Sequence, residues 1–246
     1  MSVRALNETL NGQTRMSVLQ KMEQPKRIAI YGGTFDPVHS GHLEIARRVT
    51  QFFGIDEFLF VPARVAPHKL DREVLPTLHR YAMLALATST DSRLCVSTFE
   101  LDGPGRQFTV DTLDHFRSRF GESADLFFVM GADSWGEITT WREWRRLLTL
   151  ANLIVVTRPG YEIAAAPATA ETAASIVDLR GAREVSGASE PGSKKIFVSD
   201  VVMIDVSATE IRRAASEDDN EKLNRLVPLE VAEYIRKYRL YRNTDV

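Results

Sequence analysis

From Lys26 onward the chain alternates strand-like and helix-like runs, and that rhythm restricts its fold more than any other feature. Residues 27–31, 57–61, 94–99, 125–130 and 152–157 are short and apolar, with strand-like composition. Between them, residues 43–53, 77–90, 110–120 and 141–150 read as helices. Ile45, Ala46, Val49 and Phe53 lie on one face of the first, and Tyr81, Leu84, Ala85 and Thr88 fall at helical spacing in the second. Residues 196–206 are again largely apolar, and 209–215 and 229–239 are helical. Strands separated by helices imply βαβ crossovers, so the expected class is α/β: a doubly wound parallel sheet covered on both faces. Ligands of such sheets bind at the carboxyl ends of the strands, where the strand order switches.

At 246 residues and 44% hydrophobic content, the chain can bury one substantial core. Residues 1–24 are polar and weakly periodic, which predicts a flexible N-terminal extension, with residues 25–246 forming a single domain. Residues 161–194 are rich in Ala, Gly, Ser and Thr and break the rhythm. They read as an irregular surface excursion with one helix around 171–179; the alternative is a flap that covers substrate. A net charge of −2 advertises neither nucleic acid nor an anionic membrane as partner, so any anion site must be local. The one cysteine, Cys95, excludes an internal disulfide and a cysteine-based zinc site, and reads as a buried inert thiol. No apolar stretch approaches a membrane span, and residues 1–24 lack the apolar segment of a signal peptide. The expected location is the cytoplasm.

Chemistry concentrates in GGTFDPVHSGH, residues 32–42, at the carboxyl end of the first strand candidate. Gly32 and Gly33 have no Cβ, so the backbone is expected to turn tightly here and present its N–H groups to a ligand. The following helix start adds unpaired N–H donors and the positive end of a dipole. His39 and His42, at i and i+3, point the same way. Gly41 between them weakens a helix by about 1 kcal/mol, so it reads as room for close approach. Two imidazoles beside an anion cradle point to phosphate chemistry. As a metal site the pair lacks a third ligand. GxGxxG and GxxxxGK[ST] are both absent, which sets aside a dehydrogenase-type dinucleotide site and a P-loop.

GGTFDPVHSGH resembles the T/S-F-D-P-x-H-x-G-H signature of the nucleotidyltransferase superfamily of adenylyl- and cytidylyltransferases. Four further segments narrow the resemblance. Pro67-His68-Lys69 follows the second strand, and Phe108-Thr109-Val110-Asp111-Thr112-Leu113 opens a helix. Gly131-Ala132-Asp133-Ser134 follows the strand at 125–130, with Trp141 shortly after, and Val206-Ser207-Ala208-Thr209-Glu210-Ile211-Arg212 joins the last strand to a helix. Their order resembles that of the bacterial nicotinate-nucleotide adenylyltransferases, whose patterns include PPHK, YTxDTL, GADS followed by Thr-Trp, and ISSTxIR. The resemblance spans residues 26 to about 241. This chain departs from it at Ala66, Phe108 and Ala208, which stand for a proline, a tyrosine and a serine; the last change removes a hydroxyl. Taken singly, each segment has a plainer reading. Ser207 and Thr209 suit an N-cap, Asp133 a helix cap, Trp141 and Trp144 a core, and Lys69, His79 and His115 the surface.

The resemblance implies a Rossmann-like nucleotidyltransferase fold and the transfer of AMP from ATP to nicotinate mononucleotide, giving deamido-NAD and pyrophosphate. It assigns catalysis to His39, His42, Lys69 and Arg212. ATP falls to Gly32, Gly33, Thr34, Phe35, Ser207, Thr209 and Ile211, and the acceptor to Thr109, Gly131, Asp133, Trp141 and Arg158. The attacking group is then the substrate's own phosphate, whose second pKa of about 6 leaves it largely ionised. No nucleophilic side chain is required; positioning and electrostatic stabilisation of the departing pyrophosphate suffice. Mg²⁺ is expected to accompany the triphosphate, held by phosphate oxygens and water rather than by a protein metal site. The implied partners are ATP and nicotinate mononucleotide, in a monomer or a homo-oligomer. The alternatives are an adenylyltransferase for nicotinamide mononucleotide or another phosphate such as phosphopantetheine, and a catalytically dead nucleotide-binding regulator. Intact His39, His42, Lys69 and Arg212 argue against the regulator.

Overall fold

The computed structural model describes residues 25–65, 74–105, 107–157, 169–182, 194–200 and 206–242. Its seven strands are β1 (Arg27–Gly33), β2 (Glu57–Pro62), β3 (Leu94–Val96), β4 (Asp125–Gly131), β5 (Asn152–Val156), β6 (Ile176–Asp178) and β7 (Ile196–Ser199). All pair in parallel in one sheet of order β3-β2-β1-β4-β5-β7-β6. The helices are α1 (Ser40–Phe53), α2 (Thr77–Thr88), α3 (Phe99–Asp102), α4 (Thr109–Phe120), α5 (Ala132–Gly136), α6 (Trp144–Leu150), α7 (Thr169–Thr172), α8 (Ala208–Ser216), α9 (Asn220–Leu226) and α10 (Leu229–Lys237). The chain winds from β1 outward to β3, then returns to place β4 on the other side of β1. The strand order therefore reverses between β1 and β4, and the crevice at their carboxyl ends is where a ligand is expected.

Successive strand residues point to opposite faces, and both faces are covered. Ala29, Phe127, Val129 and Ile154 pack with α1, α2, α8, α9 and α10 on one side. Ile28, Ile30, Phe128, Leu153 and Val155 pack with α4, α5 and α6 on the other. No helix among the described residues is long and apolar enough to cross a membrane.

Several expectations shift. The third strand ends at Val96, and Phe99 opens α3 instead of closing the strand. Trp141 precedes α6, ending a short 3-10 turn (Ile138–Thr140). The excursion contributes an edge strand: Ile176–Asp178 pairs with β7, where a helix had been expected. Three residues are too few to show a period, and that strand exists because β7 offers it a partner. The polar α9 was not anticipated; it buries Leu223 and is capped by Asp219, which accepts from the Lys222 amide. Cys95 is half-buried, and burial pushes its thiol pKa up, against reactivity. Residues 1–24 lie outside the described residues.

Candidate active site

β1 runs through both glycines, with Gly33 opposite Pro62, so the tight turn falls after them at Thr34–Asp36. Neither Gly32 nor Gly33 has a positive φ; the left-handed residue is Phe35, at φ 49°. Gly33 is needed for a different reason. A Cβ there would sit 2.8 Å from Cζ of the buried Phe35 ring. That ring lies edge-on to Tyr31, Phe60 and His42, at 5.6, 5.6 and 5.0 Å. The turn's carbonyls are drawn away by side chains from distant elements. Arg80 Nη1 donates to the Thr34 oxygen at 2.7 Å, and Arg212 Nη1 to the Asp36 oxygen at 2.8 Å. The Asp36 carboxylate accepts from the Tyr241 hydroxyl at 2.9 Å.

α1 starts at Ser40 with His39 as its N-cap, in extended backbone. The imidazoles of His39 and His42 stack at 3.7 Å and 27°. A Cβ on Gly41 would lie 3.1 Å from His39 Nδ1, so the glycine does make room for the pair. The His39 amide donates to His42 Nδ1 at 3.3 Å, which leaves the proton of neutral His42 on Nε2. His39 is only 8% exposed. Its Nδ1 is buried without a hydrogen-bond partner, and burial lowers its pKa to about 4. An unpartnered polar atom at the start of a helix suits a ligand that completes it.

The start of α8 reaches the same turn. Ser207 is its N-cap and accepts from the Glu210 amide at 3.2 Å, so the plain reading holds for that hydroxyl. Thr209 Oγ1 accepts from Arg212 Nη2 at 3.0 Å, fixing the guanidinium that holds Asp36. Ile211 is fully buried in the core, so its side chain is not available to ATP. Lys69 and Arg158 lie outside the described residues.

A cavity of about 330 Å³ adjoins the turn, with Gly32, Gly33 and Thr34 in its wall. Thr109, Phe108, Phe128, Ser134, Trp141 and Arg142 also line it. In the first turn of α4 the Asp111 and Thr112 amides close on the Phe108 oxygen, at 2.9 and 3.1 Å. The Thr109 and Val110 amides precede the first intrahelical bond and lack such a partner. Trp141 meets Phe128 edge-on at 6.2 Å, and its buried Nε1 has no hydrogen-bond partner. Trp144 is core, as the plainer reading had it. Arg142 is exposed, yet its guanidinium lies 4.9 Å over the Phe108 ring in the cavity wall. Gly131 and Asp133 are exposed at the end of β4 and do not line the cavity; their neighbour Ser134 does.

Three residues with roles around the site escaped the sequence reading. Arg80 is 1% exposed and also donates to the Leu75 and Ala63 oxygens and to Thr77 Oγ1. It falls in phase with buried Met83, Leu84, Ala87 and Thr88, so a cation within an apolar stripe was the available signal. Glu100 lines the cavity and accepts from Thr112 Oγ1 at 2.7 Å, with burial raising its pKa. Tyr241 carries no local signal at all. His79 bonds Tyr234 at 3.0 Å and His115 stacks on Phe99 at 3.8 Å, which are packing roles. No group of three His, Cys, Asp or Glu among the described residues could hold a metal ion.

A parallel sheet with a tight turn and a stacked histidine pair at its switch point points to the nucleotidyltransferase class of protein. The chain accordingly matches the family model described as Cytidylyltransferase-like over residues 30–214. Among individual relatives, a Thermoanaerobacter protein named "Probable nicotinate-nucleotide adenylyltransferase" is 37% identical over 91% of this chain and 98% of its own length. A Thermus thermophilus protein of the same name is 39% identical over 88% of this chain and all of its own length. The chain belongs to the nicotinate-nucleotide adenylyltransferase family. Its fold is like that of Plasmodium falciparum nicotinic acid mononucleotide adenylyltransferase complexed with NaAD. The TM-score there is 0.64 at 19% identity, covering 88% of this chain and 97% of the other.

Proposed function

We propose that this protein transfers AMP from ATP to nicotinate mononucleotide, producing deamido-NAD and pyrophosphate in NAD biosynthesis. One observation carries the reading: Gly32–Thr34 are a shared wall between the histidine-bearing turn and the cavity that holds Trp141 and the start of α4. A phosphate bound at that wall is within reach of both sites. Two substrates lying on either side of it present the acceptor phosphate to the α-phosphorus, and this positioning is most of the catalysis.

The roles follow from the surroundings of each group. His42 offers its Nε2–H, and His39, neutral through burial, offers a short-range donor rather than a full charge. Arg212, oriented by Thr209 and Asp36, brings positive charge to the triphosphate. Lys69 joins it by its place in the sequence motif. Backbone N–H groups from Thr34 and Phe35 complete the anion cradle, with Ser207, Thr209 and the Ile211 backbone toward the nucleotide. These groups stabilise charge developing on the departing pyrophosphate. On the acceptor side, Trp141 stacks with the pyridine ring, and the α4 start at Thr109 faces its carboxylate. Gly131, Asp133 and Arg158 flank the acceptor. Mg²⁺ supplies charge neutralisation when bound with ATP, held chiefly by phosphate oxygens and water. We place the enzyme in the cytoplasm.

The test is pyrophosphate release with ATP and each mononucleotide. We expect kcat/KM for nicotinate mononucleotide to exceed that for the nicotinamide form by at least about tenfold, since one charge separates them. Equal use of acid and amide makes the enzyme dual-specific and overturns the assignment of Thr109. No release with either acceptor overturns the proposed reaction.

A further inference from the structure

The acceptor cavity contains a carboxyl group that the roles above leave unused. Glu100 stands on the short α3 and is 9% exposed, and it lines the cavity together with Phe108, Phe128 and Trp141. Its Oε1 accepts from Thr112 Oγ1 at 2.7 Å. Among the described residues no cation pairs with it, and no second hydrogen bond reaches its other oxygen. A carboxylate buried beside aromatic rings is costly unless a positive charge completes it. Burial accordingly pushes the Glu100 pKa up, with only the Thr112 bond opposing.

We infer that Glu100 is a specificity-determining residue that recognises the positive charge of a quaternary pyridinium ring in the acceptor. The inference rests on the function proposed above and deepens it. A flat cation is what aromatic walls and a single carboxyl group suit together. Arg142, in the same wall, supplies the opposite charge. A ring that is positive at its nitrogen and negative at its carboxylate matches a cavity whose lining, among the described residues, carries Glu100 and Arg142. Glu100 thus selects for the ring's charge, while Trp141 selects for its flatness. A carboxylate that merely accepted ribose hydroxyls would be indifferent to that ring charge, and this separates the two roles.

The experiment compares nicotinate mononucleotide with its isosteric C-nucleoside analogue, 3-carboxyphenyl riboside 5′-phosphate. Carbon replaces the ring nitrogen, so the ring stays flat and becomes neutral. In the wild type, the analogue should bind about tenfold more weakly as a competitive inhibitor or acceptor. Glu100→Gln keeps an oxygen for Thr112 and should bring the two ligands within about twofold by weakening the pyridinium one, with KM for ATP and the melting temperature little changed. Glu100→Asp, which keeps the charge, should retain part of the preference. Equal wild-type affinity for the two rings overturns the inference and needs no variant. So does a Glu100→Gln protein that weakens both ligands alike, or neither. A wild type that fails to convert nicotinate mononucleotide would instead overturn the proposed reaction, so the two failures are distinguishable.

Discussion

His39 and His42 stack on each other, yet burial divides them. His42 is half-buried with its Nε2 side turned from the α1 amide bond, and its loss should be felt in chemistry rather than folding. His42→Ala is expected to lower kcat by about 10² or more, as loss of a transition-state donor does. Near-normal pyrophosphate release by folded His42→Ala would remove the phosphate-site reading. His39 should be felt in stability as well. Its pKa is about 4 in the fold against an ordinary 6.5, so between those values the unfolded chain binds more protons. Stability is therefore lost as pH falls from 6.5 toward 4, by up to about 3 kcal/mol. Denaturant titrations of the ligand-free protein at pH 7 and 4.5 should show a smaller pH-dependent loss in His39→Ala than in the wild type; an identical loss contradicts this. Arg212 donates through two different nitrogens, to Asp36 and Thr209, and a lysine cannot reproduce that fork. Arg212→Lys should raise KM for ATP about tenfold; unchanged ATP kinetics would reduce Arg212 to a structural tie.

At the scale of elements, α2 shows where periodicity misleads. Tyr81, Leu84, Ala85 and Thr88 are helically spaced, but the buried face is Arg80, Met83, Leu84, Ala87 and Thr88. A charged residue at the head of that face hid the true stripe. It is tolerated because its guanidinium donates to the Leu75, Thr34 and Ala63 oxygens, tying α2 to the turns after β1 and β2. Arg80→Met keeps the length and removes the donors, so buried carbonyls are left unpaired. Loss of about 3 kcal/mol or more is expected, measured by denaturant midpoint. The start of α4 and the Trp141 turn line one cavity from different parts of the sequence. Trp141→Ala should raise KM for nicotinate mononucleotide severalfold while sparing ATP, since Trp141 lines the cavity on one side of the Gly32–Thr34 wall. A rise confined to ATP would put Trp141 on the other side of it.

For the whole molecule, residues far apart in the sequence meet at the Thr34–Asp36 turn. The Tyr241 hydroxyl, beyond α10, donates to the Asp36 carboxylate across 205 positions. Tyr241→Phe should cost about 1.5–3 kcal/mol, as a hydrogen bond to a carboxylate does; an unchanged melting temperature would show the contact to be idle. The parallel α/β architecture, the GGTFDPVHSGH turn at a strand end and the pairing of His39 with His42 were all decided by the sequence itself. Each depends on period, spacing or a helix start, which are local properties. Even there, locality stopped short of the mechanism: glycine marked the turn, but Phe35 makes it and Gly33 makes room for Phe35. The tertiary structure alone decided that His39 is buried and neutral, that Arg80 and Tyr241 brace the turn, and that Glu100 lines the cavity with Phe108, Phe128 and Trp141. Burial and long-range pairing set the charge and orientation of those groups, and neither is written in the neighbours along the chain.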